Sequence, residues 1–128
     1  IAHVDGFSSW WAPTTGSVAA GEEVVFAFGA HQVHALVSEV TDVRTAWTFT
    51  AGAPEWVGTT VSFDLSTDLS TALSTGGERR LISFSHAGWA EAGAFYAHCS
   101  MKWAIFLLSL KALTEQGVGQ PFPNDTAI

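Results

Sequence analysis

The sequence predicts an α+β fold in which an antiparallel β-sheet curves around one long C-terminal helix. Several segments between residues 23 and 86 alternate apolar and polar side chains with a period of two, which is typical of half-buried strands. From 91 to 116 apolar residues instead recur at steps of three and four, as on one face of a helix. Strands at hairpin spacing before a single helix favour an antiparallel sheet over a parallel one.

The front of the chain is predicted to be mostly strand after residue 21. Residues 4–11 form a short helical or irregular piece that ends before Pro13, because the residue before a proline avoids the helical region. The first strand covers residues 23–29, the second runs from 32 to about 41, and the third spans 44–50. The side chains that should share the inner face of the first and third strands are Val24, Phe26, Phe28, Trp47 and Phe49.

Two further strands follow the Gly-Ala-Pro break at residues 52–54. In the first, residues 57–65, the inner-face side chains are Val57, Val61, Phe63 and Leu65. Leu-Ser-Thr then occurs three times between residues 65 and 75, a micro-repeat that we interpret as an expanded hairpin loop. The last strand, residues 79–86, places Ile82, Phe84 and His86 on one face.

The predicted helix, residues 91–116, is apolar over more than half of its circumference. Its main stripe consists of Phe95, Cys99, Trp103, Phe106, Leu110 and Leu113. The narrow polar strip is formed by His98, Lys102 and Ser109. Glycines and prolines at 117–123 mark its end. We therefore expect contacts on two sides of this helix, and a hydrophobic pocket where the curved sheet and the straight helix diverge.

Composition limits the functions that this fold can carry. The 128 residues suit one domain covering residues 1–128. Hydrophobic residues make up 48% and charged residues only 13%, so some apolar surface should face a cavity or a partner. The net charge of -7 repels phosphate backbones and anionic headgroups, which argues against nucleic acid as a partner.

The compartment is predicted from the cysteine content and from the apolar runs. Cys99 is the single cysteine, so no internal disulfide can form and the cytoplasm is favoured. No apolar run approaches the roughly 20 residues that span a bilayer, and no basic region opens the chain. We expect neither a membrane span nor an export signal.

Seven short motifs stand out along the chain: FSHAGW at 84–89, CSMKWA at 99–104, FLLSLK at 106–111, EQGVGQP at 115–121, WW at 10–11, TTG at 14–16 and EWVGT at 55–59. In their order and spacing they resemble the domain of activators of heat-shock-protein-90 ATPase homologues. The resemblance covers nearly the whole chain. It implies a helix-grip fold of the SRPBCC or START-like superfamily, whose members bind hydrophobic molecules, cyclise polyketides or stimulate a chaperone ATPase.

Two departures from the family pattern are visible. Family members usually open with a β-strand and a helix before the Trp-Trp position, and this sequence starts too late to contain that strand. Either the strand precedes this sequence in the gene, or it is supplied in some other way. If the strand is absent, one sheet edge is open, and we expect a two-fold homodimer through that edge or the neighbouring helix face. The family's proline near residues 41–42 is also missing, which affects only a turn.

The candidate site residues can also be explained by ordinary structural roles. His86 should point under the helix, where it could contact a ligand or be tied to the backbone near Gly88. His98 and Cys99 are adjacent in the helix, point about 100° apart and cannot grip one atom. His31 and His34 do not complete a metal-ligand pattern, so no metal is predicted.

Catalysis lacks its usual parts in this sequence. Asp64 should point outward and Glu39 lies at a strand end, so no acid and base pair is placed on the inner face. We expect no catalytic residue and no cofactor. The residues predicted to bind a hydrophobic ligand are Trp10, Phe28, Trp47, Phe49, Val61, Phe63, Phe84, His86, Phe95, Cys99, Trp103 and Phe106.

The sequence leaves three functions open. The first is noncatalytic binding of a hydrophobic small molecule between the sheet and the C-terminal helix. The second is a protein-interaction module of the co-chaperone type, and the third is an enzyme of the polyketide cyclase type.

Overall fold

The computed structural model describes residues 3–67 and 80–128. Its elements, in chain order, are helix α1 (Val4–Trp10), strands β1 (Thr14–Gly16), β2 (Glu23–Phe28), β3 (His31–Val40), β4 (Arg44–Ala51), β5 (Thr60–Thr67) and β6 (Arg80–Ala87), and helix α2 (Ala94–Gln116). The predicted α+β class is confirmed. The later copies of the Leu-Ser-Thr repeat and the predicted start of the last strand lie outside the described residues.

The six strands form one sheet in sequence order, each antiparallel to the next. A two-residue turn joins β2 to β3, and its first residue, Gly29, has φ of +65°, a value that glycine adopts without steric cost. The pairing of β3 with β4 shifts register after His34 and again after Val37. Such irregularities bend a strand and increase its twist, which curves the sheet towards the helices.

Three details differ from the sequence predictions. The long helix begins at Ala94 and not at residue 91. Strand β1 was not predicted, because three residues are too short to show an alternating pattern. The strand predicted from residue 57 begins at Thr60, and Val57 is 49% exposed. Residues 56–59 instead form a turn closed by a hydrogen bond from Thr59 N–H to Trp56 O (2.8 Å), with Gly58 at φ of +87°.

Helix α1 packs on the inner face of the sheet and fills much of its centre with aromatic rings. The Phe7 ring centroid lies 5.2 Å from that of Trp47 and 6.0 Å from that of Phe63. Trp10 packs edge-on against Phe63 at 5.9 Å. Aromatic pairs of this kind add about 0.5–1.5 kcal/mol each beyond the area they bury, so this end of the interior is firmly packed.

Helix α2 crosses the same face of the sheet. Its Trp103 ring packs on Trp11 at 4.7 Å and on Phe84 of β6 at 4.4 Å. Along α2 the buried residues are Cys99, Trp103, Phe106, Ser109 and Leu110. The helix ends at Gly117, whose φ of +81° allows its N–H to donate to Leu113 O, a common helix stop.

Residues 117–128, which we call the strap, return along α2. Gln120 N–H donates to Ser109 Oγ (2.6 Å), and Phe122 N–H donates to Trp11 O (2.7 Å). Lys102 Nζ donates to Asp125 Oδ2 at 2.6 Å. The strap therefore covers Ser109 and Lys102, two of the residues that the helical pattern placed on a polar strip.

Candidate functional site

A pocket of about 550 Å³ lies at the end of the sheet where β2 meets β3. The turn after β4, helix α2 and the strap form its other walls. Its aromatic lining residues are Trp11, Phe28, Trp56, Phe95, Trp103, Phe106 and Phe122. A volume of this size and an aromatic lining are typical of sites for small apolar molecules.

Five of the twelve sequence-predicted ligand residues line this pocket: Phe28, Phe95, Cys99, Trp103 and Phe106. The other seven lie outside its lining: Trp10, Trp47, Phe49, Val61, Phe63, Phe84 and His86. Trp47 and Phe63 are 0% exposed, since Phe7 and Trp10 cover them. The open space is therefore displaced from the centre of the sheet, which α1 fills, towards the end that α1 does not reach.

Sequence reasoning missed the pocket residues that come from turns and from the strap. Residues 52–54 looked only like the end of a strand, and Phe122 looked like part of a helix stop. Trp11 and Trp56 belonged to the family motifs but had no predicted position. The Trp-Trp pair next to Pro13 was the signal that could have placed Trp11, because two large rings beside a chain reversal usually pack inward.

Gly52 permits the close approach of two pocket walls. It has φ of +123°, and a Cβ there would lie 2.5 Å from Val33 Cγ1. A side chain at this position would therefore both strain the backbone and collide with β3. The glycine lets the turn after β4 close over the end of β3.

His86 is held by hydrogen bonds beneath α2. Trp103 Nε1–H donates to His86 Nδ1 (3.0 Å), so this nitrogen is unprotonated and Nε2 carries the hydrogen. Nε2 then donates to Thr59 Oγ1 at 2.7 Å, and the Thr59 hydroxyl donates to Trp56 O at 2.6 Å. Burial lowers the pKa of His86 to about 4, so the ring is neutral at pH 7. Both nitrogens are already engaged by protein groups.

Cys99 and the Lys102–Asp125 ion pair are the polar groups in the deeper part of the pocket. Burial raises the pKa of the Cys99 thiol, which therefore stays protonated at neutral pH. The Asp125 side chain is only 4% exposed and its carboxylate accepts from Lys102 Nζ, which also donates to Thr126 O at 3.0 Å. The two opposite charges cancel, so this ion pair attaches the strap to α2 without giving the pocket a net charge.

Of the remaining histidines, His31 and His98 line the pocket, whereas the carboxylates of Asp64 and Glu39 lie away from it. His34 Nδ1 lies 3.3 Å from Glu23 Oε1 on the sheet. Asp64 and Glu39 both bind Arg44, at 2.5 and 2.9 Å. Within residues 3–67 and 80–128, no three His, Cys, Asp or Glu side chains are grouped to hold a metal ion.

No helix in the described part of the chain is long and apolar enough to cross a membrane.

A curved antiparallel sheet with a long C-terminal helix across its inner face defines a helix-grip domain of the SRPBCC class. The chain is similar to a solved protein, the Aha1 dimer from Colwellia psychrerythraea, a solution structure. The two are 31% identical with a TM-score of 0.77, and the alignment covers 92% of this chain and 84% of the other. The chain belongs to the Aha1 family, the activators of Hsp90 ATPase homologues. No protein-family model and no curated protein matches it.

Proposed function

We propose that the protein binds a hydrophobic small molecule, without converting it, in the pocket between the sheet, α2 and the strap. The observation that carries this proposal is the pocket itself, about 550 Å³ of space walled by aromatic side chains from five parts of the chain. In a small domain so much apolar surface normally packs closed, because interiors are filled nearly as densely as crystals.

The polar groups near the pocket support binding over catalysis. General acid–base chemistry needs a titratable group that is free to exchange a proton near neutral pH. His86 is neutral and hydrogen-bonded through both nitrogens, and the Cys99 thiol is protonated. Asp125 is engaged with Lys102. His31 and His98 also line the pocket, but both are exposed to solvent. The cyclase alternative would depend on these two residues alone and therefore has the weakest support.

Native mass spectrometry of freshly purified protein tests the proposal. We expect an added mass that dissociates on activation, and binding of the apolar tricycle fluorene once the copurified molecule is removed. Ala53→Phe should weaken both, because Ala53 lines the pocket and a phenyl ring there would occupy part of its volume. Ala51→Phe, two residues away on an exposed position, is the matched control and should keep both. A bare wild-type protein that also fails to bind fluorene would overturn the proposal.

A second candidate function is protein interaction, beginning with self-association. It is favoured by the solved relative, which is a dimer, and by exposed apolar side chains at two places. On the outer face of α2, Met101 is 58% and Leu108 65% exposed, and on β6 Leu81 is 53% exposed. Among the described strands β6 pairs only with β5, so it offers an edge to a second copy.

Light scattering at micromolar concentrations tests this second candidate. We propose a two-fold homodimer through the β6 edge, which Leu81→Lys should dissociate while Leu108→Glu leaves it intact. The reverse result would assign the interface to α2. A monomeric wild-type protein would exclude the homodimer.

We place this single domain of residues 1–128 in the cytoplasm, a proposal supported by its single cysteine.

A further inference from the structure

Trp56 presents a buried hydrogen-bond donor that has no nitrogen or oxygen acceptor in the described part of the chain. The residue is 9% exposed, and within the described residues its indole Nε1–H approaches only the Cys99 thiol, without forming a hydrogen bond of regular geometry. The ring is fixed in place by its packing on Phe49 (4.7 Å between centroids) and by the turn hydrogen bond from Trp56 N–H to Ala53 O (2.9 Å). A buried donor without an acceptor is unfavourable, and such groups are uncommon in folded proteins.

The position of Trp56 separates it from the other unpartnered indoles. Trp10 and Trp47 also lack acceptors among the described residues, but they lie in the packed centre of the sheet, outside the pocket lining. Trp56 lines the pocket, beside Cys99. A thiol sulfur is a weak acceptor, and a small rotation of this short side chain would open the indole N–H to a bound molecule.

The polar groups in the deeper part of the pocket offer hydrogen-bond donors to a bound molecule. The acceptor among them, Asp125, is already bonded within the protein. The Cys99 thiol is protonated, and Lys102 has three N–H groups of which Asp125 and Thr126 O occupy two. The Asp125 carboxylate accepts from that ammonium through Oδ2, and its side chain is only 4% exposed, so it offers little surface to a bound molecule. The groups that can either donate or accept, such as His31 and His98, are exposed and lie at the rim.

We infer that the pocket selects ring-bearing apolar molecules that carry a carbonyl or carboxylate oxygen, which accepts a hydrogen bond from Trp56 Nε1–H. This inference rests on the proposed binding function and names the chemical class of the ligand. An equally apolar molecule with an N–H in the same place gains nothing, because it meets a second donor.

Three molecules of nearly equal size and shape test the inference: fluorenone has a carbonyl at its bridge, fluorene a methylene and carbazole an N–H. Calorimetric titration should show fluorenone binding about threefold to tenfold more tightly than fluorene, as one hydrogen bond would give, and carbazole no more tightly than fluorene. In proton–nitrogen NMR spectra, the indole signal of Trp56 should move downfield with fluorenone alone. The Trp47 indole signal should stay in place.

Variants separate the hydrogen bond from general packing. Trp56→Phe removes the donor and keeps an aromatic ring, so it should bind fluorene and lose the preference for fluorenone. Trp47→Phe makes the same chemical change outside the pocket and should keep that preference. Cys99→Ala uncovers the indole and should increase the preference for fluorenone. This variant tests the inference even if Trp56→Phe folds poorly.

The outcomes distinguish the two proposals. Equal affinities for the three molecules, with an unmoved Trp56 indole signal, would overturn the oxygen-acceptor inference and leave the binding function standing. Failure of all three to bind would overturn the binding function itself.

Discussion

The neutral state of buried His86 should make the protein lose stability in mild acid. Its folded-state pKa is lowered to about 4 by burial, whereas an unfolded histidine titrates near 6.5. Above pH 6.5 both states are neutral and the free energy of unfolding is unaffected. As the pH falls from 6.5 towards 4, the unfolded chain binds a proton that the folded ring does not, so stability decreases through this window.

The magnitude follows from the size of the shift. A difference of about 2.5 units corresponds to about 3.4 kcal/mol at about 1.36 kcal/mol per unit. The ring keeps some contact with solvent, which screens its charge, so we expect a loss of about 2 kcal/mol between pH 7 and pH 4.5. In a small domain with roughly 5–15 kcal/mol of total stability this is easily measured.

Urea denaturation at several pH values between 7 and 4.5 measures this loss. Other groups also titrate there, so the informative quantity is the difference between the wild-type protein and His86→Gln, whose amide cannot take up a proton. The variant should be less stable at pH 7, because it forms the bonds to Thr59 and Trp103 imperfectly, but its stability should fall less in acid. His98→Gln, at an exposed position on α2, is the control and should follow the wild-type curve. Parallel curves for the wild type and His86→Gln would refute the reasoning.

Two further predictions concern packing and the strap. Phe63→Ala should lower the free energy of unfolding by about 3–5 kcal/mol, whereas Phe106→Ala should lower it by only about 2 kcal/mol, because Phe106 already borders open space. In chemical denaturation, a loss below about 1 kcal/mol for Phe63→Ala would contradict the placement of the core. Asp125→Asn should cost about 1–3 kcal/mol, because it leaves Lys102 partly buried without its counter-charge. By contrast, Lys111→Gln breaks a solvent-exposed pair and should cost under about 0.5 kcal/mol, and equal losses for these two variants would show that the strap ion pair is not specially stabilising.

The regular elements of the fold were predictable because their patterns are local. The alternation of Val24, Phe26 and Phe28 and the helical spacing of Cys99, Trp103 and Phe106 follow directly from the geometry of a strand and of a helix. The predicted start of a strand was wrong where a turn intervenes, as at Val57. Period-two alternation alone does not reveal the turn at residues 56–59.

The candidate site was only partly predictable because its walls meet through tertiary contacts. The alternating pattern places Trp47 and Phe63 on the inner face but does not say that Phe7 and Trp10 cover them. Nothing local to Asp125 indicates that it returns to Lys102, 23 residues earlier in the sequence, or that Phe122 returns to Trp11. The unsatisfied indole of Trp56 is likewise a property of the folded surroundings.

The attachment of the strap has a consequence for how binding preferences can change over evolution or by design. The sheet is held by backbone ladders and by α1, whereas the strap is held mainly by a few bonds to α2 and to Trp11. Substitutions at Phe122 therefore reshape one wall of the pocket while leaving the rings that α1 packs on the sheet untouched. Libraries confined to the strap, with Asp125 and the closely packed Gly119 kept, would explore new ligand preferences at little risk to the rest of the fold.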